Sequence, residues 1–204
     1  MRLRSSYTSH VKQFLTIGRN YWRLRKPTGP LKLHLGCGHK RLPGFINIDF
    51  NYCLAVDYVC DISKLPCPDH SAERIEAYHV IEHIPFPVVG KVLSEWKRVL
   101  LPGGTLVLEC PDLEAAARGY LQGNERMLGS IFGYHRFKGD AHCWGYTPES
   151  LGSLLESVGF TQVRSEEAQD YHAAHEPCIR MVGQKAQTEI RNRSIDNVVK
   201  AALS

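Results

Sequence analysis

The 204-residue chain predicts one α/β domain, a mostly parallel seven-stranded sheet with helices on both faces. Three observations carry that reading. From Leu31 onward, short apolar runs alternate with helical stretches, the pattern of strands buried on both faces and joined by crossover helices. The first run, Leu33-His34-Leu35, passes straight into Gly36-Cys37-Gly38, a strand ending in a Gly-x-Gly turn. Later breaks carry helix punctuation. Pro102-Gly103-Gly104 stops one helix and turns into a strand, and Thr147-Pro148-Glu149-Ser150 opens another with a cap and a first-turn proline.

In chain order, the apolar runs place strands at Leu31–Leu35, Phe45–Ile48, Tyr58–Cys60, Arg74–Val80, Gly104–Glu109, Thr161–Ser165 and Cys178–Gln184. Helical periodicity places helices at Pro87–Val99, Leu113–Leu121 and Pro148–Ser157. Residues 122–146, rich in Gly, His and aromatics without a clean period, read as a long irregular connection able to act as a lid. Residues 186–204 read as a loose C-terminal helix or tail. Residues 1–30 form a basic segment whose Tyr7, Val11, Phe14, Leu15, Tyr21 and Trp22 recur at helical spacing before Pro27 and Pro30. Such a helix suits docking on the domain, weak contact with an anionic membrane surface, or service as an organellar presequence, and the pattern leaves all three open.

Composition narrows the function classes. A hydrophobic fraction of 43% supports a proper core. No long apolar run or secretory signal is present, and seven scattered cysteines without a C-x-x-C argue against a disulfide framework or zinc ribbon, so a soluble cytoplasmic protein is expected. The net charge of +4 comes from the first thirty residues, which hold seven Lys and Arg and no acid. The remaining chain is slightly acidic, which argues against a specific nucleic-acid-binding face. Oligomeric state is not legible.

The chemistry begins at Gly36 to Gly38, where glycines let backbone N–H groups approach a ligand at the carboxyl end of a parallel strand. The full dinucleotide fingerprint is absent, since Lys40 stands at its third glycine, which disfavours a nicotinamide enzyme. Phe45-Ile46-Asn47-Ile48 ends in Asp49, an acid placed to accept both hydroxyls of a ribose. Val59-Cys60 ends in Asp61-Ile62, positioned for an adenine amino group and ring.

This order of motifs resembles the class I S-adenosylmethionine-dependent methyltransferases, and especially a group of small bacterial predicted methyltransferases with an L-x-L-G-C-G…P-G-x-I-N-I-D opening. The likeness continues through Tyr78-His79-Val80-Ile81-Glu82-His83-Ile84, through Trp96 to Gly104, and through Tyr146 to Leu151 and Val158-Gly159-Phe160, spanning residues 31–185. It implies a Rossmann-like sheet with an antiparallel last strand and S-adenosyl-L-methionine as cofactor. By resemblance, Gly36, Cys37 and Gly38 line its methionine portion, Asp49 holds the ribose, Asp61 and Ile62 hold the adenine, and Tyr78 and His79 offer backbone beneath the sulfonium. His34 stands where the wider family often has an acid, and the stretch from Gly38 to Phe45 is short for the usual joining helix. The implied acceptor is a small molecule or glycan, methylated at oxygen.

Residues placed to face that acceptor are His83, Asp112, His135, His142, Trp144 and Tyr146, with a histidine such as His83 or His142 as general base. No metal is expected. A rival reading takes His79-Val80-Ile81-Glu82-His83 as the H-x-x-E-H of a zinc peptidase, which requires a helix where the pattern reads strand and Pro85 and Pro87 follow. A degenerate methyltransferase fold used as a binding module is the main alternative. His172, His175 and Glu176 read as a solvent-facing loop cluster.

Overall fold

A computed structural model describes residues 23–137 and 139–187. The basic N-terminal segment up to residue 22 and the tail from residue 188 lie outside the described residues. Seven strands form one sheet: β1 (Leu31–Leu35), β2 (Ile46–Asp49), β3 (Tyr58–Val59), β4 (Ala72–Tyr78), β5 (Leu100–Pro111), β6 (Phe160–Glu166) and β7 (Cys178–Lys185). Their spatial order is β3-β2-β1-β4-β5-β7-β6. The first five are mutually parallel, and β7 runs antiparallel between β5 and β6.

Among the described residues, beyond a helical turn at 23–25, four α-helices accompany the sheet: α1 (Phe86–Val99), α2 (Leu113–Leu121), α3 (Met127–Phe132) and α4 (Pro148–Ser157). Helix α1 buries Val89, Val92, Leu93, Trp96 and Val99, a stripe at helical spacing that packs into the core with Leu33, Ile75 and Leu106 of the sheet. Helix α4 starts in the expected capping box, Thr147 accepting from Ser150 N–H, and buries Leu151 and Leu155. Among the described residues no helix is long and apolar enough to cross a membrane.

Differences from the sequence-based boundaries have local causes. Strand β4 stops at Tyr78 because His79 takes a positive φ of 53°, which turns the chain out of the sheet. Strand β5 begins at Leu100, not Gly104, because Leu100 already pairs with Ala72, and a register shift between Ala72 and Arg74 absorbs the Pro-Gly-Gly turn. The 122–146 connection contains α3, and its return limb is bound to the domain through bridges between Gly133 and Ala141 and between Asp112 and Tyr146.

Between β1 and β2 a polar network takes the place of a helix. Arg41 forks onto both oxygens of Asp57 at 2.7 and 2.8 Å, and Asp57 accepts from the backbone N–H and side-chain amide of Asn47, each at 3.0 Å. Asn47 Oδ1 accepts in turn from Leu42 N–H at 2.7 Å and His34 Nδ1–H at 2.9 Å. His34 is thus a buried neutral partner of Asn47, its imidazole pKa lowered by burial.

Burial alone pushes the Asp57 carboxyl up, but the Asn47 N–H and the Arg41 guanidinium outweigh it and hold the group below the usual carboxylate range. A depressed folded pKa gives stability that is present above the unfolded value of about 3.9 and is lost as pH falls through the folded one. Asp57→Asn is therefore expected to lower stability at neutral pH by about 1–3 kcal/mol. In chemical denaturation the gap from wild type should shrink steadily below about pH 4, and an unchanged gap at acid pH would show that the charge plays no part.

Candidate active site at the carboxyl ends of the strands

The tips of β1, β2 and β3 are tied together by backbone and carboxylate contacts. Gly36 and Gly38 both hold positive φ, 64° and 49°. The Gly38 N–H donates to Asp49 Oδ2 at 2.9 Å, and Asn51 N–H donates to Asp49 Oδ1 at 2.8 Å. Each carboxylate oxygen keeps a second lone pair for a ligand hydroxyl. Cys60 N–H donates to the Asp49 carbonyl at 3.0 Å, which sets Asp61 and Ile62 beside the same tip. Asp61 is exposed, with Oδ1 taken by Ser63 N–H at 2.8 Å, while the Ile62 carbonyl accepts from the Trp96 indole at 2.9 Å. Burial pushes the Cys37 thiol up to about 12, so this side chain packs and does not act as a nucleophile.

Those contacts test whether a nucleoside with an amino-acid arm fits. A Cβ on Gly38 would meet nothing within 4 Å, so the backbone is open to a ligand there, whereas a Cβ on Gly36 would lie 2.3 Å from Val80 Cγ2. One glycine therefore seats the loop on the turn that follows β4, and the other leaves room above it. The residues fit.

A second cluster surrounds the end of β4. Glu82 is 2% exposed, and neither carboxylate oxygen receives a hydrogen bond. The nearest cationic atom is His79 Nδ1, 3.3 Å from Oε1, close enough for charge but not aligned as a hydrogen bond. Burial works against charge on both groups, yet their attraction prevails. His79 is raised to about 10, by Cys178 first and Glu82 next, and Glu82 is held by His79 below the usual carboxylate range. On its other side His79 meets the His172 ring at 3.8 Å between centroids, with Cys178 Sγ 3.7 Å from Nε2.

The return limb of the 122–146 connection is stitched onto the β4–α1 turn. The Glu82 carbonyl accepts from Cys143 N–H at 2.7 Å and Trp144 N–H at 3.1 Å, and His83 Nδ1–H donates to the Ala141 carbonyl at 3.0 Å. His142 Nδ1–H donates to the Ser130 carbonyl at 3.1 Å, and its ring meets that of His83 edge-on at 4.9 Å. Trp144, 45% exposed, stacks on the exposed Phe86 at 4.4 Å.

Of the acceptor-facing candidates, the structure brings His83, His142 and Trp144 together around Glu82. It does not bring the others. His135 is exposed and donates from Nε2 to the carbonyl of Phe132, the last residue of α3. Asp112 caps α2, its Oδ1 accepting from Glu114 and Ala115 N–H. Tyr146 is buried in the core. The peptidase arrangement is not formed, because His79 sits on a turn after a strand and His83 ends a three-residue 3-10 helix, so consecutive helical turns never present both rings.

The expectation of a solvent-facing His172 and Glu176 also needs correction. His172 is half-buried against His79 and bonded to Asp170 at 2.5 Å, and Glu176 accepts from Ser130, leaving His175 exposed. The cause is Glu109 of β5, fully buried, which pairs with Arg180 and accepts from Gln169 and Asp170 N–H at 2.9 Å each. It folds the β6–β7 loop over the strand ends, a long-range contact with no local sequence signal.

The family model described as a methyltransferase domain matches residues 40–108. A comparison with curated proteins finds no match. Among solved structures, a SAM-dependent methyltransferase of Methanosarcina mazei is 18% identical, with 83% of this chain and 97% of that one covered at a TM-score of 0.56. A SAM-dependent methyltransferase of Thermotoga maritima is 17% identical over 88% and 96% at 0.52. The 1,6-didemethyltoxoflavin-N1-methyltransferase of Burkholderia thailandensis, solved with bound 1,6-didemethyltoxoflavin and S-adenosylhomocysteine, is 16% identical over 89% and 84% at 0.53. At such identities the likeness is one of fold.

Gly36→Ala is expected to lower stability by about 1–3 kcal/mol through its left-handed φ and the Val80 clash. Adding Val80→Ala should recover part of the loss in thermal unfolding. A Gly36→Ala protein as stable as wild type would contradict the tight approach.

Proposed function

We propose that this chain, a class I S-adenosylmethionine-dependent methyltransferase by its fold and its family match over residues 40–108, methylates a small-molecule or glycan acceptor, at oxygen, over the carboxyl ends of β1, β2 and β4. The observation that carries the reading is the Asp49 carboxylate joined to the Gly38 N–H at 2.9 Å, an acid and an open backbone loop at adjacent strand tips. Asp49 would hold the ribose hydroxyls, Gly36 to Gly38 the amino-acid arm, Asp61 and Ile62 the adenine, and the backbone at Tyr78 and His79 the region nearest the sulfonium. When bound, S-adenosylmethionine supplies an electrophilic methyl group on a sulfur that leaves readily in an in-line displacement.

The chain's task is then alignment more than acid–base work, since holding two reactants in line supplies much of such a rate enhancement. Phe86 and Trp144 offer a stacked apolar platform next to Glu82, suited to the flat face of a sugar or aromatic ring. His142, its pKa lowered by burial, stays neutral near pH 7 and can accept a hydroxyl proton at Nε2. His135 and Asp112 have no part in this reading. The two departures from the expected fingerprint have partners here: His34 is paired with Asn47, and the Lys40 amine lies over the Tyr171 ring at 3.9 Å. Seven unpaired cysteines suit a reducing cytoplasm.

Calorimetric titration tests the cofactor reading. Wild type should bind S-adenosylmethionine, and Asp49→Asn should weaken it about tenfold or more through loss of charge-assisted hydrogen bonds. Equal affinity in the variant contradicts the assignment of Asp49.

A further inference from the structure

The buried carboxylate of Glu82 is unexplained by the methyl-transfer reading. It has no hydrogen bond on either oxygen, although it is 2% exposed and lies beside two histidines. A buried charge so placed usually has a charged partner or a metal. His79 supplies part of that balance from one side at 3.3 Å. On the other side, Glu82, His83 and His142 each offer one ligand atom, and the three atoms lie within 4.8 Å of one another.

We infer that Glu82, His83 and His142 bind a divalent first-row transition metal, whose remaining coordination positions take an oxygen of the methyl acceptor. With the metal bound, His142 Nε2 is a ligand, and activation of the acceptor hydroxyl passes from that nitrogen to the metal. Both histidines are prepared for ligation. Each donates its Nδ1–H to a backbone carbonyl, Ala141 for His83 and Ser130 for His142, which leaves Nε2 as the basic nitrogen and fixes the ring. This is the outer-sphere arrangement that orients metal-binding imidazoles. His79 stands in the corresponding outer position behind the carboxylate. Two nitrogens and one carboxylate suit zinc, manganese, iron(II) or cobalt better than magnesium or calcium, and three protein ligands leave positions open.

Two neighbouring groups, His79–Asp170–His172 and His79–Glu176–Cys178, also bring potential ligands together. Their carboxylates are already engaged, Asp170 by His172 and the backbone, and Glu176 by Ser130. Among the described residues, the Glu82 group is the one that joins a carboxylate without a hydrogen bond to two imidazoles whose Nδ1–H groups are already satisfied by backbone carbonyls. This departs from the sequence-based expectation of no metal, which considered the His79-to-His83 motif only as a helix. The position of His142 next to that motif comes from the Cys143 and Trp144 bonds to the Glu82 carbonyl.

The assignment of the open positions to an acceptor oxygen rests on the proposed methyltransferase reading, but the metal site does not. The test is titration of the chelator-treated full chain with Co²⁺, read by visible ligand-field absorption, followed by acetohydroxamate as an oxygen probe. One equivalent should bind, and Glu82→Gln, His83→Ala and His142→Ala should each weaken binding at least tenfold. His172→Ala should leave it unchanged, and acetohydroxamate should shift the spectrum of the loaded wild type. Circular dichroism and thermal unfolding identify any variant that fails to fold, and a folded member of the three is sufficient for the comparison. Absence of Co²⁺ binding, binding indifferent to His142→Ala, or loss in His172→Ala overturns the site. A spectrum unmoved by acetohydroxamate overturns the open positions. S-adenosylmethionine binding without Co²⁺ binding defeats only this inference, and the converse defeats only the methyltransferase reading.

Discussion

The contact between the Gly38 N–H and the Asp49 carboxylate joins the ends of two adjacent parallel strands at a point where the chain has almost no length to spare. With no helix between β1 and β2, the loop must turn sharply at Gly36 and Gly38. It is then held from beneath by Arg41, Asp57 and Asn47. That polar brace keeps the acid at the tip of β2 under the open side of the glycine turn. The adenosine-binding reading follows from this arrangement, because both recognition elements occupy a fixed separation before any ligand arrives.

A second constraint organises the other half of the site. Glu82 is locked by its backbone, whose carbonyl receives two N–H groups from residues 143 and 144, while its side chain is buried beside His79. The long connection from α2 to α4 is thereby fixed on the β4–α1 turn, and His142 is delivered to His83. From the opposite side, Glu109 and Arg180 bend the β6–β7 loop inward so that Asp170 and His172 close on His79. Chemistry-bearing residues from three distant parts of the chain meet because the sheet order sets β4 between β1 and β5.

Most of the fold was legible in the sequence, since strands buried on both sides read as apolar runs and α1, α2 and α4 carry clean periodicity or caps. Leu31–Leu35, Leu113–Leu121 and Pro148–Ser157 agree with their expected bounds. The glycine turn, Asp49 and Asp61 could be proposed from sequence because each stands at or just past the end of a strand. The acceptor side was less so. Asp112 stands at a strand's end much as Asp49 does, one residue past β5, but its position starts a helix, and capping takes the carboxylate. His135 lies in the irregular segment that holds His142, and only the tertiary bridge from Gly133 to Ala141 separates their environments. Asp170 and His172 depend on Glu109, 61 residues away from Asp170 in sequence, which no local pattern records.

The central claim is that the β1 and β2 tips form a preorganised adenosine site, and crystallisation of the chain with S-adenosylhomocysteine addresses it most directly. Both ribose hydroxyls should lie within hydrogen-bonding distance of Asp49, with the amino-acid arm along Gly36 to Gly38 and these residues unmoved. Density for the nucleoside elsewhere, or an Asp49 carboxylate facing away from the ribose, would contradict the account.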